Sequence, residues 1–134
     1  MMAVNCYPVV LLTKVVLESF KKRWAAKQAK SLIVNSCAGA SLAPMPYVQM
    51  FSATKVFCDF ITEGLNFELK EFGVDVLGIR SFGLFDELHN KQAQSFYKRF
   101  FNVTQKECIQ QSLNKCTSGL IFGAWQHEVI GVLI

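Results

Sequence analysis

Two short apolar stretches decide the fold of this chain: Ser31-Leu-Ile-Val-Asn35 and Val74-Asp-Val-Leu-Gly-Ile79. Both have the length of a strand and carry β-branched residues, as buried parallel strands do. Between them, apolar residues recur at helical spacing over 50–72, and Gly73 follows as a favourable residue after a helix. The order strand, helix, strand predicts a βαβ unit with parallel strands and a right-handed crossover.

A second long helix is predicted over 8–26, ahead of the first strand. Pro8 suits a first helical turn, and Lys21, Lys22 and Arg23 suit the negative end of the helix dipole. The apolar stripe of this helix is wide, which is typical of a helix buried between layers or against a partner. It consists of Val9, Val10, Leu11, Leu12, Val15, Val16, Leu17, Phe20 and Trp24.

The remaining segments give weaker patterns. The small residues and prolines over 36–46 predict a loop, and the aromatic residues over 95–101 are compatible with a short helix. Thr104-Gln-Lys-Glu107 is a capping box that predicts a helix from there to about 115. Gly119 and Gly123 interrupt the following stretch, and the residues over 128–134 are apolar.

The composition predicts one folded domain over residues 1–134. The chain is 51% hydrophobic and 18% charged, which excludes a mainly disordered protein. Its net charge of +4 is too small to predict nucleic-acid binding, which would also need stacking aromatic residues interleaved with the basic ones. The longest uninterrupted apolar runs have about six residues, against the ~20 that span a bilayer, so no transmembrane helix is expected.

The cysteines and histidines do not predict a metal site. The five cysteines are widely spaced, and His89 and His127 lie far apart in the sequence. No CxxC or Cys/His pattern is present. We interpret the cysteines as buried thiols in a reducing compartment.

Several short motifs together resemble the short-chain dehydrogenase/reductase family. The motifs are Ile33-Val-Asn-Ser-Cys-Ala-Gly39, Pro44-Met-Pro46, Phe51-Ser-Ala-Thr-Lys55, Gly73-Val-Asp-Val76 and the tail from Thr117 to His127. They are most similar to the branch of 17β-hydroxysteroid dehydrogenases and very-long-chain 3-oxoacyl-CoA reductases. The resemblance implies an α/β fold, a partial Rossmann-like domain with a truncated doubly wound parallel sheet, two long helices and a helical tail.

The family's chemistry uses an asparagine, a serine, a tyrosine and a lysine with NADP or NAD. By resemblance, the lysine is Lys55, which would also hold the cofactor ribose, and the asparagine is Asn5. The tyrosine position holds Phe51 and the serine position holds Ala38. Phenylalanine has no proton to exchange and alanine cannot bind a carbonyl, so the resemblance implies an inactive site.

Other readings of these residues remain open. Lys55 is equally compatible with a solvated lysine on a helix, and Asn5 with a plain capping residue. Ser36 shares its strand face with position 38 and could replace the lost serine. Tyr47, one turn before Phe51, could replace the lost tyrosine. Ser52 is adjacent to Phe51 but should face elsewhere, since a helix turns ~100° per residue.

The family's Gly-rich turn for the cofactor pyrophosphate has no counterpart among the eight scattered glycines, and Ser81-Phe82 stands where many members have Pro-Gly. We therefore interpret residues 1–134 as a domain without the N-terminal, cofactor-binding half. No cofactor is expected to bind. The first strand would then have an open, apolar edge.

Two functions follow as hypotheses. The first is an inactive, reductase-derived interaction or structural subunit, or a truncated product, which pairs with itself or another protein through helices 8–26 and 50–72. In the family, these helices pack against a second subunit. The second is an NADP-dependent reductase of a steroid or 3-oxoacyl-CoA carbonyl whose cofactor half is supplied elsewhere. By resemblance, the location is intracellular and near membranes, at the endoplasmic reticulum or in the mitochondrion.

Overall fold

The computed structural model describes residues 1–82, 84–85, 103–115 and 118–133. Its elements form an α/β fold with a parallel sheet, as the sequence predicts. In chain order they are α1 (Met2–Asn5), α2 (Tyr7–Ala25), β1 (Ser31–Ala38), α3 (Gln49–Glu68), β2 (Val74–Ser81), β3 (Leu84–Phe85), β4 (Val103–Thr104), α4 (Gln105–Asn114), β5 (Gly119–Phe122) and α5 (Trp125–Leu133). Single 3₁₀ turns lie at Gly39–Ser41 and Lys70–Phe72.

The main sheet has the strand order β1-β2-β5, and both pairs are parallel. β1 and β2 are in register from Ser31 opposite Val74 to Ala38 opposite Ser81. The predicted βαβ unit is therefore confirmed, with α3 as its crossover helix. Within the described residues β1 pairs on one side only, so it forms an edge of the sheet.

The two faces of the sheet are covered by different helices, because alternate residues of a strand point to opposite sides. Val74 and Val76 are fully buried on the face that α2 and α3 cover. They pack with Leu17, Phe20, Ile33, Leu65, Leu69 and Phe72. On the other face Ile79 packs against Val103, Cys108 and Ala124.

Gly73 ends the turn between α3 and β2 for two physical reasons. Its φ of +63° lies in the left-handed region that favours glycine. A Cβ at this position would also lie 2.4 Å from the Trp24 ring. The predicted stop after α3 is confirmed, and so is the capping box of α4, in which Thr104 and Glu107 exchange hydrogen bonds.

One prediction about elements is wrong, and one strand is not predicted. The sequence predicts a loop over 36–46, but Ser36, Cys37 and Ala38 belong to β1, because β2 offers paired backbone groups along its whole length. Between the two glycines at 119 and 123, Gly119–Phe122 forms a strand paired with β2. The predicted short helix over 95–101 lies outside the described residues.

The N-terminal helices form one apolar segment, Met2–Ala25. With 24 residues, it is long and apolar enough to cross a membrane by length and composition, and 11% of its most apolar window is buried. No transmembrane helix is expected when only uninterrupted apolar runs are considered. Length and composition do not separate a membrane span from a core helix, and Leu17 and Phe20 pack against the sheet. That expectation stays a prediction.

Candidate active site

Lys55 lies at the carboxyl end of β1, on the first half of α3. Its Nζ donates a hydrogen bond of 2.9 Å to the backbone oxygen of Ser36. Helical spacing puts Phe51 one turn earlier on the same face. The Lys55 ammonium lies 5.6 Å from the centre of the Phe51 ring. The structure thus brings the predicted lysine together with the phenylalanine at the tyrosine position.

Ala38 completes this group at the end of β1. Ala38, Phe51 and Lys55 line one cavity of about 390 Å³. The other lining residues are Ser36, Cys37, Ala40, Met45, Ser81 and Phe82. Next to Ala38, a Cβ on Gly39 would lie 2.2 Å from the Phe82 ring, so the ring fits only against a glycine. The resulting cavity is mainly apolar, with one ammonium group in its wall.

Asn5 lies at the end of α1, and its side chain points to α3. Its Nδ2 donates to Thr54 Oγ1 at 2.9 Å, and its backbone oxygen accepts from Cys58 Sγ at 3.4 Å. Asn5 and Lys55 both line a second cavity, also about 390 Å³, between α2 and β1. Lys55 therefore lines both cavities, whereas Asn5 lines only the second cavity and Ala38 and Phe51 line only the first.

The three possible substitutes for the lost hydroxyls are placed very differently. Ser36 lines both cavities beside Lys55, so it remains near the site. Tyr47 has 98% of its surface exposed and does not line the cavity. Ser52 is 5% exposed and, within the described residues, its Oγ has no hydrogen-bond partner. Of the three, only Ser36 has the geometry to contact a molecule in the cavity.

A buried ion pair next to this site was not predicted. Arg80 Nε and Asp59 Oδ2 are 2.8 Å apart, and Ser41 donates a hydrogen bond to the same carboxylate oxygen. Asp59 is 5% exposed, and the pair joins α3 to β2. An aspartate within an apolar stretch of a predicted helix was the available signal, because a buried carboxylate requires a partner.

The thiols around the site are buried. Burial first, and the Asp59 carboxylate second, raise the pKa of Cys37 from 9.0 to about 12. Burial also raises the pKa of Cys58 and of Cys108. The prediction of buried thiols is confirmed for Cys6 and these three, whereas Cys116 lies outside the described residues. In the described ranges no group of three or more His, Cys, Asp or Glu could hold a metal.

A family model described as short chain dehydrogenase matches residues 1–86. The chain belongs to this family. Mouse 17-beta-hydroxysteroid dehydrogenase type 3 is 27% identical over 131 residues, covering 97% of this chain and 40% of the relative. Human very-long-chain 3-oxoacyl-CoA reductase is 26% identical over 134 residues, covering 99% and 41%. The chain thus spans about 40% of the length of these relatives.

Solved structures support the same fold. A 7beta-hydroxysteroid dehydrogenase superposes with a TM-score of 0.80 at 18% identity, over 98% of this chain and 51% of the other. A short chain dehydrogenase from Burkholderia cenocepacia J2315, in complex with NADP, gives 0.74 at 18% identity, over 98% and 52%. The Rossmann-like fold expected from the resemblance is therefore confirmed.

Proposed function

We propose that this chain is a catalytically inactive member of the family that acts through contacts with another protein. The observation that carries the proposal is the aromatic ring of Phe51, 5.6 Å from Lys55 Nζ. A tyrosine at this position could exchange a proton, but a phenyl ring cannot. Ala38 offers no hydroxyl, and the hydroxyl groups of Ser36 and Ser81, which also line the cavity, do not ionise as a tyrosine would.

The residues present do not fit a complete nicotinamide dinucleotide. Lys55 has N–H donors that could contact a ribose, but the rest of the cavity does not suit the cofactor. The Phe82 ring occupies space against Gly39 in the same cavity. The sequence of these residues also contains no Gly-rich turn for a pyrophosphate. We therefore derive no hydride transfer through this chain.

The protein contact is assigned to α2 and α3, and the proposed partner is a second copy. Large apolar side chains are exposed on both helices: Val15 by 74%, Phe60 by 73% and Phe67 by 86%. A groove of about 330 Å³ lies between the helices, lined by Val10, Leu17, Phe60, Ile61 and Leu65 among others. Burying such side chains contributes roughly 1.5–3 kcal/mol each, which favours association.

The location near an intracellular membrane stays a proposal based on the resemblance.

A direct test measures NADPH binding by calorimetry and ketone reduction by NADPH consumption, using the whole chain. We expect neither. Saturable NADPH binding together with turnover, both lost in Lys55→Met, would favour the second candidate. In that candidate the chain is part of a reductase of a steroid or 3-oxoacyl-CoA carbonyl. Its support is the retained Lys55 and the reductase names of the relatives.

A further inference from the structure

The cavity between Ala38, Phe51 and Lys55 has the chemistry of a ligand site. Its volume of about 390 Å³ falls in the ~300–1,000 Å³ range of small-molecule pockets. Five of its lining residues are apolar, and Lys55 is the one charged residue among the described residues that line it. These apolar residues are Ala38, Ala40, Met45, Phe51 and Phe82.

Lys55 has capacity to bind an anion. An ammonium group has three N–H donors, and the described contacts use one of them, on Ser36 O. Asp59 follows Lys55 by one helical turn, but its carboxylate is held by Arg80 and Ser41. Among the described residues Lys55 forms no ion pair, so its charge is available at the cavity wall.

We propose that this cavity binds a medium-chain fatty acid, with the carboxylate on Lys55 and the chain along Phe51, Met45 and Phe82. The inference rests on the proposed function, because the apolar surface that it uses is the one left by the loss of the two catalytic hydroxyl groups. Phe51 and Ala38 replace two hydroxyl groups by apolar surface, which suits an aliphatic chain. Met45 is flexible and adapts to such a chain.

The donor set favours a carboxylate over a phosphate. Phosphates are held by several donors, such as helix N-termini, Gly-rich turns or arginine forks. This cavity offers one ammonium and the hydroxyl groups of Ser36 and Ser81. Arg80, the nearest arginine along β2, is paired with Asp59. One cation with one or two hydroxyls matches the two oxygens of a single carboxylate.

The experiment titrates the whole chain with dodecanoate and with dodecanol by calorimetry, both below the concentration at which they aggregate. We expect dodecanoate to bind with an affinity at least ~10-fold higher than dodecanol, because the alcohol lacks the negative charge that attracts the Lys55 ammonium. Lys55→Met should lower the dodecanoate affinity by a similar factor and leave dodecanol unaffected. The matched control is Lys106→Met, which changes an exposed lysine on α4.

Three results would overturn the inference: no dodecanoate binding, equal affinity for acid and alcohol, or equal effects of the two lysine substitutions. Circular dichroism of each variant verifies that the fold is retained. NADPH turnover is measured in parallel. Turnover with fatty-acid binding would reject the inactive function alone, whereas absence of both would reject the fatty-acid site alone.

Discussion

Arg80 and Asp59 are joined by a hydrogen bond of 2.8 Å between Nε and Oδ2, across the contact of β2 with α3. The Asp59 side chain is 7% exposed and that of Arg80 is 22% exposed. Removing one partner would leave a buried charge without compensation, which costs more than the pair itself contributes. The pair therefore holds the end of β2 against the helix that carries Phe51 and Lys55.

Replacing Arg80 by Met should lower the free energy of unfolding by about 3–5 kcal/mol, because Asp59 would stay buried and unpaired. Urea unfolding followed by circular dichroism measures the change. The matched control is Lys30→Ala, which removes an exposed pair of 4.0 Å with Asp75 and should cost less than about 1 kcal/mol. Equal losses in the two variants would contradict a stabilising role for the buried pair.

Restoring the family's residues should not restore activity. In the double variant Phe51→Tyr with Ala38→Ser, we expect no ketone reduction by NADPH, since the sequence of residues 1–134 contains no Gly-rich motif that would bind the pyrophosphate. NADPH consumption over time measures this outcome. The double variant could instead reduce the ketone and lose this activity when Lys55→Met is added. That result would show that Phe51 and Ala38 alone make the unmodified chain inactive.

The chain should sediment as a species heavier than its monomer mass of 15.1 kDa at low micromolar concentration. Phe60→Glu should shift the population to monomer, because it places a charge in the proposed α2–α3 contact. The control is Val132→Glu, since Val132 is 84% exposed on α5, away from that contact. A sharp monomer peak for the unmodified chain would contradict the proposed self-association.

Stability should fall as the pH rises above about 9. In the unfolded chain the Cys37 thiol ionises near its ordinary pKa of 9.0, whereas in the folded chain its pKa is about 12. Between these values the folded state binds more protons, so raising the pH favours unfolding by at most about 1.4 kcal/mol per pH unit. Urea unfolding at several pH values measures the slope. Cys37→Ala should reduce it, and an unchanged slope would reject the assignment.

The part of the fold that local patterns determine was predictable. Helical spacing placed Phe51 and Lys55 on one face, and the apolar runs over 31–35 and 74–79 placed the two strands that α3 connects. β5 was missed because four residues after a glycine carry little local signal. Its pairing with β2 depends on a neighbour about 40 residues away in the sequence, and strand formation follows such context.

The sequence names candidate site residues but not the contacts that surround them. Resemblance supplied Asn5, Ala38, Phe51 and Lys55, and the fold places all four around the two cavities. The hydrogen bond from Asn5 to Thr54 and the ion pair of Asp59 could not be predicted, because both join residues from different elements. Such contacts depend on packing rather than on sequence spacing.

The one-sided pairing of β1 among the described residues also bears on how the cell would handle this chain. Leu32 and Val34 on that strand are 47% and 46% exposed. An uncovered apolar strand edge is a target for aggregation, for chaperones and for proteolysis. The steady-state amount of the chain should therefore follow the supply of whatever covers this edge, in the way that orphan subunits are removed when their complex is not assembled.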